Sequence, residues 1–150
     1  MPSPTHSKNP TLLKKNLSPW TTSMSILKDL IVPGHLSNDR HHIAVTHTPA
    51  VIERFSATKP GGYENVRKRS RLHPDRPCPS LVAGNFAGTR NHIHPVLPRE
   101  LTNREIARIQ GFPDNYYFTG SSAQVAKQIT NAVPIALWSA VAMQVSRAFQ

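Results

Sequence analysis

The chain is 150 residues long, enough for one modest domain or a small domain with tails and too short for two independent cores. Eighteen Lys and Arg against eight Asp and Glu give a formal net charge of +10, which favours an anionic partner such as nucleic acid over an acidic metabolite alone. The single cysteine, Cys78, rules out an internal disulfide framework, no signal-peptide core opens the sequence, and Pro134, Ser139, Gln144, Ser146 and Arg147 interrupt the longest apolar stretch; a cytoplasmic protein with no membrane span is expected.

Residues 1–20 are rich in Pro, Ser, Thr, Asn and Lys without a sustained period, and read as a mobile arm. In 25–32, Ile26, Leu27, Leu30 and Ile31 share a helical face until Pro33-Gly34 stops the run, so one or two helical turns are expected. Thr48-Pro49 starts a second short helix whose apolar face is Val51, Ile52 and Phe55, ending at Lys59-Pro60-Gly61-Gly62. Between Pro60 and Pro98 lie six prolines and four glycines, which predicts an irregular segment with one strand-like run at 80–83.

The basic residues concentrate there. Arg67, Lys68, Arg69, Arg71 and Arg76 fall within ten positions, close to Tyr63, a pattern suited to phosphate contact and groove entry by a loop, although a basic loop can equally be a solvated surface. Eight histidines, among them His41, His42 and His47, lack the cysteine partners or ligand spacing of a metal site, so no metal is expected.

The clearest local signal is 101–111. Thr102 and Glu105 have the spacing of a capping box, Ile106 and Ile109 mark a buried face, and Gly111 stands where a left-handed C-terminal cap belongs. Ser121 or Ser122 can cap the next helix, which carries Val125 and Ile129, and Pro134 can occupy the first turn of a last helix reaching about Phe149. Ile135, Trp138, Val141 and Val145 form one stripe on it, and Leu137, Ala140 and Ala148 carry the apolar surface further around the cylinder. Such a helix expects cover from more protein than 150 residues supply, with Trp138 as core or interface.

The run Arg99-Glu-Leu-Thr-Asn-Arg-Glu-Ile-Ala-Arg-Ile-Gln-Gly-Phe-Pro-Asp114 resembles motif IX of the DNA cytosine-5 methyltransferases, and Gln128-Ile-Thr-Asn-Ala-Val-Pro134 is similar to their motif X. Upstream, Gly61-Gly62-Tyr63 and residues 71–81 look like landmarks of that family's target-recognition region. The resemblance covers about residues 20–146. It implies an α/β class, here a mixed α+β fragment: an irregular recognition region with short strands, and C-terminal helices that pack on a Rossmann-like methyltransferase domain. The corresponding division is an arm at 1–20, a partial target-recognition region at 21–98, and motif IX, motif X and the last helix at 99–150.

By the same resemblance, Arg99, Thr102, Arg104 and Glu105 brace the motif IX helix. Asn131, Ala132 and Val133 line a pocket for S-adenosylmethionine, with Thr130 in place of the family's glycine, a β-branched residue where close approach is wanted. The family's Gly-x-Gly turn and its Pro-Cys-Gln nucleophile motif do not occur in these 150 residues, and Cys78 is followed by Pro79, so no catalytic residue is assigned. The expected function is the specificity and cofactor-pocket part of a DNA (cytosine-5-)-methyltransferase, of the kind found in restriction-modification. It would act on double-stranded DNA as a split subunit or a truncated remnant, inactive without a second chain that carries the catalytic motifs. The alternative is a helix-turn-helix DNA-binding regulator built on 102–110 and 122–129, although eleven residues separate those helices where three or four are usual.

Overall fold

The computed structural model describes residues 19–30, 39–81 and 92–149. Within them lie the helices α1 (Ser23–Leu27), α2 (Pro49–Ala57), α3 (Asn103–Ile109), α4 (Ser122–Asn131) and α5 (Ile135–Ala148), and a hairpin of β1 (Tyr63–Glu64) and β2 (Arg69–Ser70). This is a mixture of helices and a small antiparallel sheet, as expected. The arm up to residue 18 and most of the strand-like run at 80–83 lie outside the described residues; Ser80 and Leu81 themselves are not in a strand.

Local chemistry sets most helix ends. Thr102 accepts a hydrogen bond from the Glu105 amide (3.2 Å) while the Glu105 carboxylate accepts one from the Thr102 amide (2.8 Å), which completes the capping box at α3. At the other end Gly111 has φ +90°, its N–H reaches the Arg108 carbonyl and the Phe112 N–H reaches the Ala107 carbonyl, the paired bonds of a Schellman stop. Ser121 caps α4 with Gln124 in the same reciprocal way. α1 begins two residues earlier than its apolar pattern suggests, because Thr22 and Ser25 make a capping box of their own. Pro134 is the residue before α5 rather than part of its first turn.

The main core joins α1, α3 and α4 through Leu27, Leu72, Leu101, Ile106, Phe118, Val125 and Ile129. Each such side chain, once fully buried, contributes roughly 1.5 to 3 kcal/mol. A smaller cluster of Val51, Phe55 and Ile93 sits beside α2, whose third predicted apolar residue, Ile52, is largely exposed. Ile93 ties the two halves together: it bridges Arg71 in parallel and Glu100 in antiparallel sense, and the Leu72, Ile93, His94 and Leu101 amides bond across these three segments at 2.8–3.0 Å. The segment after β2 and the segment that leads into α3 therefore share one backbone ladder.

None of the residues of α5 is buried; Trp138 is 64% exposed, with Ile135, Leu137, Val141, Met143 and Val145 open beside it. Taken as one stretch, Ser122–Ala148 is 27 residues long and apolar enough to cross a membrane. The chain breaks in its middle, however, where Ala132 and Pro134 take extended ψ values of 140° and 128°. That leaves α5 with 14 residues, about 21 Å of helix against a hydrocarbon core of about 30 Å.

Candidate functional site

Three groups of residues make up the candidate site: the hairpin, the frame around α3, and the turn between α4 and α5. In the hairpin, Tyr63 pairs with Ser70 and Glu64 with Arg69. The buried Glu64 carboxylate accepts hydrogen bonds from the Val66 (3.0 Å) and Arg67 (2.6 Å) amides and pairs with Arg54 at 3.3 Å, so an acid inside the turn shapes a basic loop outside it. Lys68 holds φ at +56°, a left-handed conformation rare for a residue with a Cβ. Tyr63, Val66, Arg67 and Lys68 project into solvent, and Arg76 is exposed on a neighbouring turn.

Two of the predicted contact residues point the other way. Arg69 is buried and donates to Glu100 at 2.8 Å, and Arg71 is buried with its guanidinium bonded to the carbonyls of Phe55, Thr58, Pro95 and Val96 at 2.7–3.2 Å. Buried and bonded inward, both hold the region together and neither is placed to meet a phosphate. Strand alternation gives the reason for Arg69: it faces inward opposite Glu64, whereas Arg67 and Lys68 occupy the turn.

Arg99, Thr102, Arg104 and Glu105 meet around α3. Arg99 grips the Glu105 carboxylate with both terminal nitrogens (2.7 and 2.9 Å), and the same carboxylate caps α3. Arg104 pairs with Asp39 and donates to the Tyr116 carbonyl (3.0 Å), which draws the 39–41 and 113–116 segments against α3. Burial pushes the Asp39 carboxyl upward, but the hydrogen bonds from Arg104 and the His41 amide outweigh it and leave the pKa below its ordinary value. Arg108, not singled out from sequence, clamps Asp114 at 2.7 Å and Asp29 at 2.6 Å, and these hydrogen bonds raise its already high pKa. Its signal was the six-residue spacing to the acid of Phe-Pro-Asp; the link to Asp29 across 79 residues carried none.

Two histidines complete the frame. His42 Nδ1 lies 2.8 Å from the Thr102 hydroxyl, and His94 Nδ1 accepts from the Val96 (3.1 Å) and Leu97 (3.0 Å) amides. The His94 proton therefore sits on Nε2, which faces Glu105 at 3.9 Å. Burial, only partly offset by Glu105, lowers the pKa of His94 to about 4. Among the described residues no three His, Cys, Asp or Glu are grouped as metal ligands. Cys78 is half-buried, and burial pushes its thiol up to about 12, the protonated and unreactive form.

At the α4–α5 turn, Asn131 borders an open groove of about 520 Å³ that Thr119, Gly120, Gln124, Lys127 and Gln128 also line. Val133 is 58% exposed, and the Ala132 carbonyl accepts a hydrogen bond from the Gln110 side chain at 2.7 Å. Thr130 lies inside α4 with its hydroxyl bonded to the Ala126 carbonyl at 2.9 Å, so the position asks for no glycine dihedral and its side chain is satisfied along the helix. α3 buries residues 103–107 against the core.

Residues 2–147 match the sequence model of a known family, C-5 cytosine-specific DNA methylase. The chain belongs to that family. It is 35% identical over 140 residues to the type II methyltransferase M.DdeI of Desulfomicrobium norvegicum (73% of this chain, 33% of the relative). It is 34% identical over 151 residues to M.BbvI of Brevibacillus brevis (89% and 36%). The chain thus spans about a third of the length of these relatives. M.AquIB of Picosynechococcus sp. is 34% identical over 124 residues, and there the match covers 71% of this chain and 87% of the relative. Among solved structures, a prophage-encoded DNA modification methyltransferase from E. coli superimposes with a TM-score of 0.53 at 36% identity, over 60% of this chain and 24% of that one.

Proposed function

We propose that these 150 residues are the specificity and cofactor-pocket part of a DNA (cytosine-5-)-methyltransferase of the restriction-modification kind, working on double-stranded DNA. In this reading the hairpin carries the DNA contacts, through Tyr63, Arg67, Lys68 and Arg76. Arg99, Thr102, Arg104 and Glu105 keep the hairpin and motif IX in register. The Asn131 side chain and the Ala132 and Val133 backbone form one wall of the pocket for S-adenosylmethionine, which supplies the methyl group. The opposite wall, the Gly-x-Gly turn and the Pro-Cys-Gln nucleophile come from a Rossmann-like domain on a second chain, without which this one is inactive.

The observation that carries the reading is α5: immediately after the cofactor segment stands a helix with no buried residue and an apolar surface on several sides. A C-terminal helix that packs on a catalytic domain is the surface such a division would leave open. The match across 87% of M.AquIB supports a separate chain of about this extent, since a type II methyltransferase relative of similar size exists. Both Asn131 and Val133 are accessible and Thr130 is internally satisfied, which fits a half-built pocket.

The test is transfer of labelled methyl groups from the cofactor to mixed-sequence DNA. The chain alone should give background incorporation, and co-expression with a polypeptide carrying the two missing motifs should restore it. Asn131→Ala should then weaken it through cofactor affinity. Transfer by the purified chain alone, abolished by Cys78→Ala, would sink the proposal.

A further inference from the structure

The cofactor segment is a turn between two helices, and a turn keeps its shape only if its backbone groups are tied down. The Ala132 amide bonds back to the Ile129 carbonyl at 3.2 Å, a bond within α4 itself. The tie to the rest of the fold is the Gln110 side chain, whose amide nitrogen donates to the Ala132 carbonyl at 2.7 Å across 22 residues of sequence. Gln110 is the C-cap of α3 and is itself held: its own N–H bonds to the Ile106 carbonyl at 3.0 Å, and Gly111 at φ +90° follows in the Schellman stop. A Cβ on Gly111 would come within 4.0 Å of the Ile135 amide, so the start of α5 lies against the same end of α3.

The other end of α3 is tied to the hairpin. Glu105 caps it and holds Arg99; Glu100 holds Arg69 of β2; and the Leu101 amide bonds into the ladder at His92. α3 is thus a strut with the proposed DNA-contact loop bonded at one end and the proposed cofactor segment at the other.

We infer that Gln110 is a positioning residue for the S-adenosylmethionine segment, acting through the Ala132 carbonyl to set the backbone on which Asn131, Ala132 and Val133 are displayed. The inference rests on the reading of that segment as cofactor wall. Gln110 touches no cofactor in this scheme; it fixes the distance from motif IX to the wall. A glutamine is suited to this because it is long enough to cross from the helix end and carries a neutral donor, so no charge is left against the carbonyl.

The experiment uses the full chain and the Gln110→Glu and Gln110→Lys variants. Glutamate keeps the shape but at neutral pH offers only acceptors to a carbonyl, whereas lysine keeps an N–H donor. Amide hydrogen exchange at Ala132 and Trp138, the hydrogen-bonded amides of the turn, should accelerate roughly five- to tenfold in Gln110→Glu, the range set by one net hydrogen bond, while the α3 cap and the hairpin exchange as before. Gln110→Lys should retain most of the protection. In the assembled enzyme Gln110→Glu should raise the KM for S-adenosylmethionine by a similar factor and leave the KM for DNA unchanged; a merely structural role would move both. Unchanged exchange in Gln110→Glu overturns the inference whatever the cofactor does. Faster exchange with an unchanged cofactor KM, in an assembly that still methylates, overturns instead the reading of 131–133 as cofactor wall.

Discussion

α3 and α5 are helices of one chain in opposite circumstances. α3 has seven residues, and by itself would be too short to persist in water. It is held by a capping box, a two-pronged Arg99–Glu105 pair, two arginine clamps and a core of Ile106 and Ala107. α5 has twice the length and the higher apolar content, yet buries nothing. Length and hydrophobicity therefore do not decide which helix is stabilised within this chain; paired polar groups and available neighbours do. The short helix is finished inside the chain and the long one is left open among the described residues.

The largest expected effect is on the finished helix. Glu105→Ala removes the N-terminal cap and leaves Arg99 without its carboxylate partner, so unfolding by urea should show a loss of about 3 to 5 kcal/mol, the cost of breaking a buried ion pair on one side. A loss under about 1 kcal/mol would mean that the cap and the Arg99 pair add little to what the apolar contacts and the two arginine clamps already supply.

Acid should attack the same frame. His94 is depressed to about 4 in the folded chain from an ordinary value near 6.5, with Glu105, Arg99, Arg71 and His42 around it. A depressed base binds protons more readily when unfolded, so its contribution is fully present above about pH 6.5 and is lost as pH falls toward 4, by up to about 3 kcal/mol. The urea midpoint should drop across that window, and His94→Gln should flatten the dependence. A flat profile in the parent chain would place the His94 proton elsewhere.

For α5 the expectation reverses. Trp138→Asp should shift the stability of the lone chain by no more than about 0.5 kcal/mol, as for any exposed position. The same change should weaken assembly with the proposed catalytic chain by about 2 kcal/mol or more, the scale of an interface anchor. Sedimentation of the lone chain should show self-association that the substitution reduces. A large loss of stability in isolation would mean that α5 is covered from within.

The basic cluster repeats the contrast on a smaller scale. Replacing Arg67, Lys68 and Arg76 by Ala should leave folding within about 0.5 kcal/mol and reduce the log-log salt slope of DNA binding by about 0.9 for each phosphate contact removed. Arg69→Ala, by contrast, should destabilise the fold, because Glu100 would be buried alone. Equal salt slopes before and after the triple change would return the loop to ordinary solvated surface.

What could be read from the sequence divides along the same line. The Thr102–Glu105 box, the stop at Gly111, the Thr48-Pro49 entry and the girth of α5 are all written within a few residues of one another, and each is found where it was expected. The inward turn of Arg69 depends on Glu100, 31 positions away, that of Arg71 on carbonyls 13 to 25 positions away, and the Arg108–Asp29 clamp spans 79. A run of like charges in sequence says nothing about which of its members finds a distant acceptor. The tie from Gln110 to Ala132 was hidden for the same reason, although both of its ends lie in motifs that were recognised.

Arg71 clasps four main-chain oxygens and no side chain. Every amino acid brings such an oxygen, so Thr58 or the exposed Val96 can be exchanged for another residue without loosening the clasp, provided the chain keeps its path. Position 71 has no such latitude: a lysine offers three donors from one point in place of a flat five-donor fork, and some of the carbonyls would be left dry. The neighbourhood of the hairpin is thus a frame with one immovable fastening and replaceable panels.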